Sequence, residues 1–270
     1  MSAAPNTAKQ RGTLFLVPTP LDFGCLTEGH VTEPLTQWLP GETLSVASRL
    51  THWITENAKS TRAFLKRVDS AVGIATTMPD MHIVELPREA HKKGDHAKTA
   101  STDEAARALM EPAMRGIDIG LVSEAGMPAI ADPGSSVVRA AHAAGISVVP
   151  LSGPMSLMLA LAASGLNGQS FAFVGYIPQN AEERTKRLRE LEAIAHQTGQ
   201  TQILIETPYR NAALLQSMLH TLRASTRLAV SCGIHLPQHM SRSASVANWK
   251  QQNMGKNLPL SLPAVFLIGR

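Results

Sequence analysis

The chain holds only two cysteines in 270 residues, Cys25 and Cys232, with no CxxC or metal-type spacing between them. That excludes a disulfide-stapled secreted scaffold and fits a reducing compartment. Aromatic residues are also scarce, at 4%. Ala, Leu, Val and Met must therefore fill the core, which favours helices packed on a sheet over an aromatic-rich sandwich. Long apolar runs are missing as well. The most apolar stretch, Val148 to Ala163, is cut by Pro150, Ser152, Gly153, Pro154 and Ser156, too short and too broken to span a bilayer. Residues 1 to 10 are polar, lack the apolar centre of a signal peptide and read as a loose tail. A cytoplasmic protein is expected. No strand is followed by GxGxxG, which argues against NAD(P) and the common Rossmann methyltransferases. GxxxxGK[ST] is also absent, which argues against nucleotide hydrolysis. His235 and His239 stand four apart, but Pro237 between them disfavours a helix and no acid lies nearby, so no metal is expected.

One sign of charge is missing from a whole third of the chain. From Thr207 to Arg270 there is no Asp or Glu, while seven Lys and Arg remain; the first 206 residues carry a net charge of −3. An acid-free segment fits an anionic partner such as RNA phosphate if the cations share a face, and only aids solubility if they are scattered.

What is present reads as α/β. Strands are expected at Thr13–Val17, Ala71–Thr77, His82–Leu86, Ile117–Val122 and Ile146–Pro150. Between them, helices are expected at Val31–Leu39, Thr43–Thr55, Ser60–Val68, from a capping box at Ser101 and Glu104 to Gly116, and at Gly134–Ala144, with another following at Pro154–Ala163. This alternation predicts a mostly parallel sheet with right-handed crossovers. After it, strands at Phe171–Tyr176, Gln202–Glu206, Arg227–Cys232, Met240–Val246 and Ala264–Ile268 cluster with fewer helices between, which predicts a mixed sheet in a second domain. The expected division is a tail at 1–10, an N-terminal α/β domain at 11–152 and a C-terminal α/β domain at 153–270.

Ligands of open parallel sheets bind beyond the carboxyl ends of strands, and three small-residue turns follow strands here. The first is Val17-Pro18-Thr19-Pro20-Leu21-Asp22-Phe23-Gly24, where two prolines stiffen the exit and Gly24 is available for a bend. The second, Ser123-Glu124-Ala125-Gly126-Met127-Pro128, runs on to Asp132-Pro133-Gly134. Asp132 suits a helix N-cap with Pro133 at the first helical position. The loop before it is longer than the 2–6 residues or so that a strand-to-helix joint needs. The third, Pro150-Leu151-Ser152-Gly153-Pro154, offers backbone groups to an adenosine or serves as a hinge.

Together these turns resemble the tetrapyrrole methylase superfamily, and within it the bacterial enzymes that 2'-O-methylate a cytidine of small-subunit ribosomal RNA. Gly12 to Pro20 resembles the opening "G-x-L-Y-x-V-x-T-P", and Ser123 to Gly134 resembles "S-D-A-G-T-P-x-x-x-D-P-G". Val149 to Pro154 resembles "V-P-x-P-G-P", Phe173 to Pro178 "Y-E-G-F-L-P", and Glu206 to Arg210 "E-S-x-H-R". The sequence departs from the RNA-modifying pattern at Asp22-Phe23-Gly24, at Thr55 to Arg62 and at Ser231 to Leu236.

The resemblance implies two α/β domains with S-adenosylmethionine in the cleft between them, commonly in a homodimer. It places cofactor contacts at Pro18, Thr19 and Pro20; at Ser123, Glu124, Ala125, Gly126, Met127 and Pro128; at Ser152, Gly153 and Pro154; and at Gly175 and Tyr176, with a further approach at Leu260 to Ala264. The implied activity is 2'-O-methylation of ribosomal RNA. Methylation of a small anionic substrate such as a tetrapyrrole, or a non-catalytic S-adenosylmethionine-binding module, are the alternatives. A ribose hydroxyl is a weak nucleophile while protonated, so a general base is expected, with Glu56 or Glu206 as candidates and Arg62 or Arg210 on phosphate.

Overall fold

The computed structural model describes residues 10–22, 33–87 and 100–270. Most of the expected tail, the bend at Gly24, Cys25, the first residues of the helix expected from Val31 and the Ser101 side chain of the capping box lie outside the described set. The chain divides into two compact units, Met1–Pro154 and Met155–Arg270.

The first unit is built on five parallel strands in the order β3-β2-β4-β1-β5: β1 (Thr13–Leu16), β2 (His52–Thr55), β3 (His82–Glu85), β4 (Ile119–Val122) and β5 (Ser147–Pro150). Alternate side chains face opposite ways, as the pleat requires. Phe15, Val17, Trp53 and Val122 pack with α1 (Gly41–Arg49) and α2 (Ala58–Val72) through Leu44, Phe64 and Leu65. On the other face Leu14, Ile54, Ile119 and Leu121 meet α3 (Ala100–Ala108), α4 (Glu111–Met114) and α5 (Ser135–Ala143) through Ala106, Ala113, Val137 and Ala141. Burial on both faces explains why β4 reads as a continuous apolar run. The chain leaves β2 towards β3 but leaves the adjacent β4 across β1 towards β5. These opposed departures form a topological switch point at the carboxyl ends of β2 and β4, the usual place for a ligand.

The second unit is the expected mixed sheet, ordered β6-β7-β10-β8-β9. Here β6 (Phe171–Tyr176) and β7 (Thr201–Glu206) pair in parallel, while β8 (Arg227–Cys232), β9 (Met240–Ser245) and β10 (Ala264–Gly269) join antiparallel. Helix α6 (Ser156–Ser164) covers one face against Ile203, Ala229, Val265 and Leu267. Helices α7 (Ala181–Thr198), α8 (Asn211–Thr221) and α9 (Val246–Gln251) cover the other, against Leu204, Val230 and Phe266.

Four expectations fail locally. The helix expected over Thr43–Thr55 ends at Arg49, and His52–Thr55 is strand β2. Its β-branched and aromatic residues favour a pleated, buried site, which overrides a short apolar pattern that fits either period. The strand expected at Ala71–Thr77 does not form: α2 continues to Val72 and closes on Gly73, followed by a 3₁₀ turn at Met78–Asp80. Within Val31–Leu39 the described residues form only a 3₁₀ turn, Leu35–Gln37, bracketed by Pro34 and Pro40. The helix expected to run to Gly116 breaks before Pro112, whose missing N–H cannot continue the ladder. Among the described residues no helix is long and apolar enough to cross a membrane.

Trp249 anchors the second unit's core, its indole Nε1 donating to Leu228 O at 2.8 Å. Trp249→Ala is expected to lower unfolding free energy by about 3–5 kcal/mol through cavity formation. Trp249→Phe should cost less, because it keeps most of the volume and loses mainly the hydrogen bond. Urea denaturation of both variants measures the difference.

Candidate active site

Backbone geometry draws three predicted turns together at the carboxyl ends of β1, β4 and β5. Val17 N donates to Leu121 O at 2.8 Å, and Leu151 N donates to Leu16 O at 3.0 Å, carrying the ladder to the last residues of the sheet. Beyond it the strands' exits are tied again. Thr19 N donates to Gly126 O at 3.0 Å and Gly126 N donates to Thr19 O at 3.1 Å, a single antiparallel bridge between two loops. Thr19 is buried, and its Oγ1 donates to Ser123 O at 3.4 Å. Gly126 has φ +81°, and a Cβ there would press on Leu21 Cδ2 at 3.1 Å, so both conformation and space select glycine. The third turn is held from α1, where Thr43 Oγ1 donates to Ser152 O at 2.7 Å. Gly153 lies flat on Pro18: a Cβ would fall 2.3 Å from Pro18 Cγ. Pro154 O in turn faces Gly126. Pro20 and Pro128 are buried, whereas Glu124, Ala125 and Met127 are partly open to solvent.

Asp132 is not the helix cap that its position suggested. The N-cap of α5 is Gly134, with no side-chain cap hydrogen bond. Two residues, Pro133 and Gly134, stand between Asp132 and the first helical residue, Ser135, so Asp132 does not occupy the cap position. It lies instead among acids at the switch point. Burial pushes its carboxyl up from 3.8 to about 7, and the neighbouring Glu56 carboxylate adds to the rise. The Ser123 hydroxyl opposes it, and the Glu124 carboxylate adds a further rise. Ser123 Oγ is itself buried and meets hydrogen-bond geometry with no partner, although its dipole favours the charged form of Asp132. A buried hydroxyl beside a protonatable carboxyl is an environment prepared for a polar group.

Glu56 reaches this cluster because it follows β2 directly. Next to it, Asn57 caps α2, its Oδ1 accepting from Lys59 N at 2.9 Å and Ser60 N at 3.3 Å. Arg62 is exposed on the first turns of that helix. Glu56, Ser123 and Glu124 thus all act on Asp132, and Asp132 and Thr43 are the residues that sequence reasoning did not assign to the site. The length of the loop was the available signal for Asp132. A helical threonine facing a carbonyl gave no signal for Thr43.

In the second unit Glu206 and Arg210 are bound to one another. Arg210 Nη2 and Nε donate to Glu206 Oε1 at 2.6 and 3.0 Å, and Thr207 N donates to the same oxygen at 2.7 Å. The Glu206 side chain is 6% exposed. Asn211, fully buried, donates to Leu260 O at 3.0 Å and Leu262 O at 2.8 Å, fixing the approach to β10. Gly175 has φ +71° and Tyr176 stands exposed at the end of β6. A recess of about 440 Å³ is lined by His220, Lys250, Asn253 and Lys256, with no carboxylate in its lining. Cys232 is buried, which pushes its thiol up to about 12 and leaves it inert. His239 Nε2 lies 3.0 Å from Ser241 Oγ, and among the described residues no group of three or more His, Cys, Asp or Glu could hold a metal ion.

A family model described as Tetrapyrrole (Corrin/Porphyrin) Methylases matches residues 51–233. Among curated proteins, the ribosomal RNA small subunit methyltransferase I of Halalkalibacterium halodurans is 32% identical over 209 residues, covering 77% of this chain and 60% of its own. The protein of the same name from Vibrio cholerae is 40% identical over 117 residues, covering 43% and 39%. That from Xylella fastidiosa is 41% identical over 128 residues, covering 47% and 45%. The matched stretch therefore spans between 39% and 60% of these relatives' length. Among solved structures, a putative cobalamin synthesis related protein (CobF) from Corynebacterium diphtheriae superposes with TM-score 0.53 at 13% identity, covering 96% of this chain and 98% of that one. A uroporphyrin-III C-methyl transferase from Thermus thermophilus, complexed with S-adenyl homocysteine, superposes with TM-score 0.50 at 14% identity and the same coverage. These likenesses establish the fold.

Asp132 gives the site a pH signature. Between 3.8 and about 7 the folded chain keeps a proton that the unfolded chain has lost. Folding stability must therefore fall as pH rises through that window. Asp132→Asn is expected to gain stability over the parent by on the order of 2 kcal/mol at about pH 8, and to gain nothing at about pH 4. Denaturant midpoints at the two pH values test this; an equal change at both would remove Asp132 as the source.

Proposed function

Because the chain belongs to the tetrapyrrole (corrin/porphyrin) methylase family, we propose that it transfers the methyl group of S-adenosylmethionine to a ribose 2'-hydroxyl of ribosomal RNA. The observation that carries this reading is the reciprocal bridge between Thr19 and Gly126, which joins the first two of the small-residue turns at the carboxyl ends of β1 and β4, beside the switch point. The RNA acceptor is supported by relatives 32–41% identical whose names specify ribosomal RNA, and by the acid-free segment from Thr207 onward. Action on ribosomal RNA places the protein in the cytoplasm, and a homodimer belongs to the same reading.

The residues present fit the cofactor. Ser123 Oγ is a buried polar atom that meets strict hydrogen-bond geometry with no protein group, although it acts on the Asp132 carboxyl. Gly126 lets the loop pack closely on Leu21, where a Cβ would press, and nearby carboxylates suit a ligand that carries positive charge. The turns at Pro18 to Pro20, Ser123 to Pro128 and Ser152 to Pro154 would hold it. When bound, S-adenosylmethionine supplies an electrophilic methyl group on a sulfonium. The protein's own contribution is alignment of the acceptor and exclusion of water.

A proton must leave the ribose hydroxyl as the new C–O bond forms. We assign that proton to Asp132, with Glu56 as the neighbouring charge that raises its affinity for it. A carboxyl titrating at about 7 is matched to proton transfer at neutral pH. Glu206, already accepting from Arg210 and Thr207, acts as the anchor of Arg210.

Labelled-methyl transfer onto RNA from a strain lacking this protein, followed by mapping of the modified nucleotide, tests the reading. Label confined to a ribose supports it; label on a tetrapyrrole, or cofactor binding with no transfer to any acceptor, sinks it. Asp132→Asn should lower kcat by roughly 10²-fold or more while cofactor affinity holds. Glu56→Gln removes a charge that raises the Asp132 pKa, so the acidic limb of the pH–rate profile should move to lower pH. An unmoved limb would show that Glu56 does not act on the proton acceptor.

A further inference from the structure

The chain has only two tyrosines, and both stand in solvent at one edge of the second unit. Tyr209 is 81% exposed and Tyr176 is 57% exposed. Each ring is exposed over most of its surface and so gains little from burial. Topology brings them to the same end of the sheet. Tyr176 is the last residue of β6 and Tyr209 follows β7 by three residues; the two strands are parallel neighbours, with Tyr176 in register with Ile205. The β6–β7 register shifts between Phe173 and Tyr176, and Gly175 within the irregularity has φ +71°. Such a bulge re-aims the side chain beside it.

Tyr209 has a cation beside it. The Arg210 Cζ lies 5.5 Å from the Tyr209 ring centroid, within cation–π range. Glu206 Oε1 and Thr207 Oγ1, the latter 3.1 Å from Arg210 Nε, hold the guanidinium in place before any ligand arrives. No carboxylate occurs in the sequence beyond Glu206. A ring with an open face, a preset guanidinium and a surrounding segment that repels no anion match the chemistry of an unpaired nucleotide: a base to stack and a phosphate to pair.

We propose that Tyr209, with Arg210 and with Tyr176 at the neighbouring strand end, forms a stacking platform for unpaired bases of the RNA substrate. The proposal rests on the reading of RNA as methyl acceptor and deepens it: the substrate is a single-stranded or locally opened segment.

Fluorescence anisotropy of the full chain with a labelled unstructured RNA oligonucleotide and with a hairpin duplex tests the platform. The unstructured RNA should bind more tightly than the duplex. Tyr209→Ala and Tyr176→Ala should each weaken it roughly tenfold, while Tyr209→Trp restores binding. Because tyrosine carries no charge, Tyr209→Ala should leave the salt dependence of affinity unchanged, whereas Arg210→Ala should lessen it by about one phosphate contact. Wild-type affinity in Tyr209→Ala, a preference for duplex, or a carboxylated porphyrin whose binding needs Tyr209 while RNA binding does not would each overturn the platform. Methyl incorporation separates the two levels. If the wild type methylates RNA and Tyr209→Ala keeps its kcat/KM, the platform fails and the methyltransferase reading stands. If the wild type methylates no RNA, that reading fails, and the oligonucleotide affinities alone decide the platform.

Discussion

The candidate site depends on two backbone hydrogen bonds between Thr19 and Gly126. Parallel strands end side by side but leave their exits free, and a loop of eleven residues from Ser123 to Pro133 has many conformations to lose. Pairing that loop with the stiff Pro18-Thr19-Pro20 exit fixes its first half at the point where β1 and β4 stop. The bond geometry requires Gly126 at φ +81°, and close packing of Gly153 on Pro18 brings the third turn against the same proline segment. A side chain at Gly153 would push the third turn off Pro18, and one at Gly126 would strain the backbone at its positive φ. The prolines and glycines that look like ordinary loop punctuation are thus the means by which three chain segments share one small volume.

Once the loop is fixed, its second half no longer serves the helix that follows. Gly134 begins α5 without a side-chain cap, and the carboxylate that could have capped it lies among Glu56, Ser123 and Glu124. Helix stability is given up there, since an aspartate cap contributes typically about 1 kcal/mol. A carboxyl held in poor solvation beside a like charge is a further cost to folding at neutral pH. Both departures from the locally favourable arrangement fall at the switch point of the sheet, where local and global preferences conflict most often for functional reasons.

The architecture was largely legible in the sequence because strands and helices alternate cleanly and the clustering of late strands marks the mixed sheet. Trp53 and Ile54 show where that legibility stops. Their apolar pattern fits either a helix continuing from Thr43 or a strand, and only packing against Phe64 on one face and Leu121 on the other decides for β2. The three turns were legible as turns, and their composition pointed to a ligand. Their mutual contacts were not, because Thr19–Gly126 and Thr43–Ser152 join residues about a hundred positions apart. Asp132 was misread for the opposite reason. Local cap chemistry gave it a sufficient role, so nothing in the sequence demanded a tertiary one.

The acid-free third of the chain shows what composition can and cannot establish. The absence of carboxylates after Glu206 says only that the segment repels no anion. The structure adds an arrangement. Arg210 is not a free surface cation but is tied to Glu206, the last acid of the chain, so the net charge of that pair is near zero. A neutralised guanidinium attracts phosphate weakly at long range, yet it presents a planar, oriented donor set beside the Tyr209 ring. Long-range attraction must then come from unpaired cations such as Lys250 and Lys256 around their recess, while the tyrosine edge contributes short-range selection. Salt acts on these cations and on the Arg210 phosphate contact but leaves ring stacking nearly unchanged, so Tyr209 and Arg210 variants separate stacking from charge.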